Sequence, residues 1–142
     1  MPTLWARRLG YAGLLPFMGL ALACWYFQDG LHLQWAHALL AYAATIASFL
    51  GAIHWGLAMR GNQEPDRSLA LFVWGVMPSL LAWVALLVPT EMGLWGLAVL
   101  LWACYRVDLR VYPRLGLQDW LPMRAVLTQV ASVCCVIGAL AL

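Results

Sequence analysis

The chain has 142 residues, of which 65% are hydrophobic and 10% are charged, and its mean hydropathy is +0.82. Soluble globular domains carry about 25% charged residues, so this composition excludes a soluble globule and indicates an integral membrane protein. The net charge of +2 comes from arginines that are dispersed between apolar segments. Because they form no clustered basic face, we predict no nucleic-acid partner.

The first apolar segment covers residues 10–27 and is long enough to span a bilayer. Residues 21–24 (ALAC) loosely resemble a lipoprotein cleavage site. However, the usual large aliphatic residue three positions before Cys24 is missing, and the apolar run continues past it. We therefore predict that this span is retained. Pro16 removes one backbone hydrogen bond within it, so we predict a kink there.

Four further apolar segments follow, separated by short polar connections. They cover residues 35–59, 69–88, 93–112 and 120–142, and each is about as long as a helix that crosses roughly 30 Å of hydrocarbon. Pro78 lies within the third of the five segments, where we predict a second kink. The sequence thus predicts a single all-α domain, a bundle of five transmembrane helices.

The arginines provide a test of this count. If the chain crosses five times, all of them lie on one side, whereas the other side carries Asp29, His32 and Glu91. By the positive-inside rule, the N-terminus is then cytoplasmic and the C-terminus lies on the opposite side. A four-helix count would scatter the arginines over both sides. We therefore expect a multi-pass protein of a bacterial inner membrane or an organellar inner membrane.

The second segment carries a histidine deep in an apolar stretch, His54. At helical spacing, one side of this segment consists of small residues that let a neighbouring helix approach closely. This predicted packing face comprises Ala43, Ala47, Ser48, Gly51 and Ala52. Because His54 follows these residues at helical spacing, we expect its side chain to face protein and not lipid.

Polar residues from three other segments lie at about the same depth as His54. The imidazole is about 9 Å from the arginine-bearing end of its helix, and Asp108 is about 6 Å from the same end of the fourth helix. Arg124 and Tyr11 lie near the starts of the fifth and first segments. We therefore predict a polar cluster of His54, Asp108, Arg124 and Tyr11, in which Asp108 pairs with arginine and orients the imidazole. The alternative is an ion pair that only neutralises arginine at the interface.

The same residues argue against a metal or haem centre. No carboxylate or cysteine lies at helical spacing from His54, and His37 is about 25 Å away on the same helix. A bis-histidine haem would need a second protomer or another subunit. We predict no metal, no catalytic residue and no cofactor, and we keep haem or quinone binding at His54 as an alternative.

Three stretches together resemble a family of small membrane proteins. They are LGYAGLLPF at 9–17, SFLGAIHWGLA at 48–58 and MPSLLAW at 77–83, and the second is the most specific. In this combination the chain resembles, over nearly its whole length, the domain of unknown function 3429 family, the transmembrane protein 69-like small membrane proteins. The resemblance implies a polytopic helical membrane protein and carries over no activity or site residues.

The chain has no nucleotide motif and no nucleophile beside a base, which favours a non-enzymatic role. The leading prediction is a membrane subunit or an assembly and interaction protein, embedded in the lipid bilayer as a homo-oligomer or within a larger complex. One alternative is a membrane-embedded redox or small-ligand binder, for quinone or haem, centred on His54. A second alternative is a proton or solute conductor that forms as an oligomer.

Overall fold

A computed structural model describes residues 1–142, and all of its regular elements are helical. The α-helices are α1 (Leu4–Ala12), α2 (Leu14–Tyr26), α3 (His32–Met59), α4 (Pro65–Leu87), α5 (Thr90–Val111) and α6 (Leu121–Leu140). Two 3₁₀ turns, Pro113–Leu115 and Gln118–Trp120, connect α5 to α6. Five helical segments are long and apolar enough to cross a membrane, and α1 and α2 together form the first of them. The predicted all-α bundle of five spanning segments is confirmed.

The first span is divided into α1 and α2 at Gly13. Because Pro16 has no N–H, the carbonyl of Ala12, four residues earlier, has no helical donor at that position. Beside the break, the Tyr42 hydroxyl of α3 donates to the Gly13 carbonyl at 2.8 Å. The interruption therefore lies three residues before Pro16, and a neighbouring helix satisfies one of the carbonyls beside it.

The fourth helix begins earlier than the hydropathy indicates and continues through its internal proline. α4 has Pro65 in its first turn, where the fixed φ of proline suits the start of a helix. Pro78 is buried within the same continuous helix. A Cβ added at Gly51 of α3 would lie 3.1 Å from Pro78 Cγ. The proline ring is therefore packed directly against the small-residue side of α3.

α3 is the central helix, and it packs against α2, α4, α5 and α6. Its buried side chains are mostly alanine and leucine, and they belong to one continuous core with residues of the other long helices. α1 packs on α2 and α6 beside this core. The central position of α3 allows a polar side chain near its end to reach both α5 and α6.

The predicted packing face of α3 lies in two environments. Ala43, Ala47 and Gly51 are buried, whereas Ser48 is partly buried and Ala52 is exposed. Successive residues of an α-helix are rotated by about 100°, and this rotation turns Ala52 away from the buried stripe. The close contact with neighbouring helices is thus narrower than the predicted face.

Candidate functional site

A buried polar network joins α3, α5 and α6. His54 Nε2 lies 2.9 Å from Asp108 Oδ1, and Arg124 Nε donates to Asp108 Oδ2 at 2.8 Å. The three residues, in this order along the chain, are 1%, 1% and 5% exposed. Each carboxylate oxygen has its own partner, so a single aspartate connects three membrane helices. We call these three residues the polar network.

The position of each residue along its helix explains why they meet. His54 lies in the last turns of α3, Asp108 lies in the last turn of α5, and Arg124 lies in the first turn of α6. In a bundle whose helices alternate in direction, these positions share one end, the end that bears the arginines. His54 and Asp108, which helical rise places at similar depths, therefore meet in a hydrogen-bonded junction.

The polar network contains an ion pair and leaves two nitrogen atoms without partners. An ionised carboxylate only accepts, so Nε2 of His54 carries a proton and donates to Asp108. Asp108 and Arg124 carry opposite charges and form the ion pair. His54 Nδ1 and Arg124 Nη2 are buried and have no hydrogen-bond partner in the protein. Such atoms are uncommon in protein interiors because an unpaired buried polar group is costly.

A cavity of about 380 Å³ lies beside the polar network, among α1, α2, α3, α5 and α6. Of its 18 lining residues 14 are hydrophobic, among them Phe17 and Leu127. Arg124, Thr128 and Tyr112 also line it. Arg124 Nη1 lies 3.5 Å from Thr128 Oγ1. The cavity is therefore an apolar volume with a guanidinium group in its wall.

The structure brings three of the four predicted cluster residues together. His54, Asp108 and Arg124 form the polar network, whereas Tyr11 lies outside it and is 38% exposed on α1. Tyr112, which the sequence interpretation did not include, has its ring centroid 6.2 Å from that of His54. The signal was present in the sequence, since Tyr112 is four residues after Asp108 and thus one helical turn further along the same face.

The same stretch of α3 also fixes its crossing with α4. A Cβ added at Gly51 would lie 2.6 Å from the backbone carbonyl oxygen of Gly75, so the two helices approach with almost no space between them. Trp55 Nε1 donates to the Phe72 carbonyl at 2.9 Å, and the indole ring covers Gly75. Residues 48–58 of α3 therefore contact α4 through Gly51 and Trp55, and they contact α5 through His54.

The network residues are not arranged as metal ligands. The structure contains no group of three or more histidine, cysteine, aspartate or glutamate side chains that could hold a metal ion. The third side chain of the polar network is Arg124, and its positive charge repels a metal cation. Arg124 is the member of the polar network that lines the adjacent cavity.

Sequence comparison places the chain among membrane proteins. It is 38% identical over 87 residues to transmembrane protein 69 of Xenopus tropicalis, an alignment that covers 58% of this chain and 32% of that protein. The chain thus spans about a third of the length of this relative. No solved structure matches the chain. A family model described as protein of unknown function (DUF3429) matches residues 2–140. The chain therefore belongs to this family and is a multi-pass membrane protein.

Proposed function

We propose that the protein binds an amphipathic small molecule with a neutral carbonyl head and an apolar body, the chemistry of a membrane quinone. The observation that carries this proposal is the position of Arg124. Its Nη2 is buried without a partner in the protein, and the same residue lines an apolar cavity of about 380 Å³. In this proposal the head accepts a hydrogen bond from Arg124, and the body occupies the apolar part of the cavity.

One hydrogen-bond donor of Arg124, Nη2, has no partner in the protein. Arg124 uses Nε for its ion pair with Asp108, its Nη1 lies near Thr128, and its guanidinium is also within hydrogen-bonding range of the Tyr112 side chain. Nη2 is the one guanidinium nitrogen that is buried without a partner, and such a donor carries a desolvation penalty. A ligand that accepts a hydrogen bond offsets this penalty. An entirely apolar ligand would leave it in place.

The charges of the polar network favour a neutral head group. Asp108 and Arg124 already form a one-to-one ion pair in a site that is almost inaccessible to solvent. A carboxylate head would place a second negative charge beside Asp108, whose charge Arg124 already balances, and this is unfavourable at low dielectric. A carbonyl oxygen accepts the same hydrogen bond and brings no charge. The network therefore favours a quinone-type head over a fatty acid.

The shape and composition of the cavity also fit a small-molecule site. Small-molecule sites in proteins are concave, mostly apolar, and carry a few convergent polar groups that orient the ligand. The cavity has this composition, since Arg124, Thr128 and Tyr112 are set among aliphatic and aromatic side chains. His54 does not line the cavity, and it bonds to Asp108. In our proposal His54 positions Asp108, and through it Arg124, without touching the ligand.

Quinone titration of the purified protein tests this function. Ala131 of α6 lines the cavity, and an Ala131→Phe substitution fills part of it. Val133 lies on the same helix, is 55% exposed and does not line the cavity, so Val133→Phe is the matched control. We expect Ala131→Phe to weaken binding by roughly tenfold or more, since each displaced ligand atom contributes about 0.3 kcal/mol. We expect the Val133→Phe variant to bind as the wild type does.

Two outcomes would overturn the proposal. One is equal quinone affinity in wild type, Ala131→Phe and Val133→Phe, which would indicate partition into the lipid-facing surface. The other is a wild type that binds a long-chain fatty acid in preference to the quinone. A protein without quinone affinity that co-purifies with a partner at fixed stoichiometry would instead favour the membrane subunit or assembly role that the sequence predicts.

A further inference from the structure

A second concave surface lies between α4 and α5 and shares no lining residue with the cavity. This groove has a volume of about 490 Å³. Trp74 of α4 and Val107 of α5 belong to its walls, and Arg67 and Arg114 lie at its mouth. Because α4 begins and α5 ends at the arginine-bearing end of the bundle, the groove opens where a membrane has its head groups.

The charges at the mouth are unequal. Glu64 is the acidic residue that lines the groove, and its carboxylate is 4.0 Å from Arg67 Nε. Both side chains are largely exposed, at 80% and 70%, so this contact is a weak surface ion pair. Arg114 has no carboxylate partner, and the mouth therefore has a net positive charge of one. An anionic group is the complementary occupant.

Six of the eleven lining residues are hydrophobic, and this apolar part of the groove extends into the membrane-spanning part of the protein. Trp74 lies nine residues after Pro65, which corresponds to about 14 Å along α4. Its Nε1 is buried and has no hydrogen-bond partner in the protein. A site with cations at its mouth, a single donor further in and hydrocarbon-facing walls matches a molecule whose anionic, ester and apolar parts follow one another in that order.

We propose that the groove binds an anionic phospholipid of the phosphatidylglycerol class. The phosphate lies between Arg67 and Arg114, an ester carbonyl accepts a hydrogen bond from Trp74 Nε1, and an acyl chain follows the walls formed by α4 and α5. A soluble phosphate compound would use only the two arginines and would leave the apolar walls uncovered. The surrounding bilayer supplies the phospholipid at high local concentration.

Native mass spectrometry of the protein in mild detergent tests this site. Phosphatidylglycerol, phosphatidylcholine and glycerol phosphate are titrated separately against wild type, Arg67→Gln/Arg114→Gln and Trp74→Phe. The matched control is Arg7→Gln/Arg8→Gln, which removes the same charge at positions outside the groove. Thermal unfolding of each variant establishes that the bundle is intact, and no substituted residue belongs to the polar network.

We expect wild type to prefer phosphatidylglycerol over phosphatidylcholine, and the groove double variant to lose this preference by about fivefold for each arginine removed. Trp74→Phe should weaken both lipids alike, and Arg7→Gln/Arg8→Gln should change neither. An unchanged preference in Arg67→Gln/Arg114→Gln would overturn the proposal. An equal loss of preference in Arg7→Gln/Arg8→Gln would mean that the overall charge of the protein, and not the groove, causes the effect. Glycerol phosphate that binds as tightly as the lipid would mean that the groove binds a soluble phosphate compound.

Discussion

The crossing of α3 with α4 and the junction of α3 with α5 and α6 originate from the same two turns of α3, yet different forces hold them. At the crossing, Gly51 and Gly75 bring two backbones together, and Trp55 donates its indole N–H to a carbonyl. At the junction, charged groups meet through hydrogen bonds, and His54 Nδ1 and Arg124 Nη2 have no partner. The crossing is close-packed and its indole donor is satisfied, whereas the junction is incomplete and borders a cavity.

Polar residues with a structural role in a membrane bundle can be separated from those with a binding role by their hydrogen-bond partners. A polar side chain such as Trp55, whose hydrogen bond is made to another helix, is explained by packing. A buried donor beside a cavity, such as Arg124 Nη2, has a hydrogen bond left for a ligand to accept. Four substitutions in the bundle test whether the two regions differ as described.

The largest effect should follow from removal of the charge at the centre of the junction. Asp108→Asn keeps the shape of the side chain but leaves the Arg124 guanidinium without a counter-charge inside the bundle. We expect it to lower the free energy of unfolding by about 3–5 kcal/mol, measured by denaturation in mixed detergent micelles. Asp29→Asn, in an exposed turn, is the control. Equal stability of the two variants would show that the buried pair contributes nothing.

The next effect should come from the histidine. His54→Leu leaves Asp108 paired with Arg124 and removes only the partner of Oδ1. We expect a loss of about 1–3 kcal/mol, the penalty for one unsatisfied buried acceptor, in the same unfolding measurement. His37→Leu, an exposed position on the same helix, should have almost no effect. A loss larger than that of Asp108→Asn would mean that the imidazole, and not the carboxylate, organises the junction.

A comparable loss should arise at the crossing for a steric reason. Gly51→Ala places a methyl group against the Gly75 carbonyl, and we expect the overpacking to destabilise by about 1–3 kcal/mol. Gly56→Ala lies on the same helix with nothing within 4 Å of the added carbon, so it should be neutral or slightly stabilising. Equal unfolding free energies for the two variants would mean that α3 and α4 are further apart than they are in the structure.

The smallest effect should come from the indole hydrogen bond. Trp55→Phe keeps an aromatic ring against Gly75 but cannot donate to the Phe72 carbonyl. Hydrogen bonds between membrane helices average about 0.6 kcal/mol, and we expect a loss of that size in the unfolding free energy. Trp83→Phe is the control, because Trp83 is 58% exposed. A loss above that of Gly51→Ala would show that polar contacts also dominate the crossing.

Much of the fold could be predicted from the sequence. Hydropathy and the placement of the arginines gave five spans, because a bilayer sets the length of an apolar helix. Helical rise placed His54 and Asp108 at similar depths, and the structure joins them. Side-chain direction was less predictable, since it depends on how each helix is rotated about its axis. Ala52, one residue beyond the buried Gly51, is exposed for this reason.

The parts that the sequence could not provide depend on tertiary packing. Tyr11 is 38% exposed, because a depth along α1 does not determine the direction in which a side chain points. The cavity has no sequence signature, because five helices contribute to its wall. The unpaired Arg124 Nη2 is equally invisible from composition or spacing. The proposed binding role rests on these features, and so it could only follow from the structure.

In the proposed binding mode, Arg124 donates a hydrogen bond to a carbonyl head in the cavity. Infrared difference spectroscopy of a quinone labelled with carbon-13 at one carbonyl measures this bond directly, because a hydrogen bond lowers the carbonyl stretching frequency. We predict a downshifted carbonyl band in wild type and Val133→Phe, and its loss in Ala131→Phe. The opposite result would be a wild type that binds the quinone without shifting either carbonyl band from its frequency in apolar solvent. This result would contradict the proposed hydrogen bond.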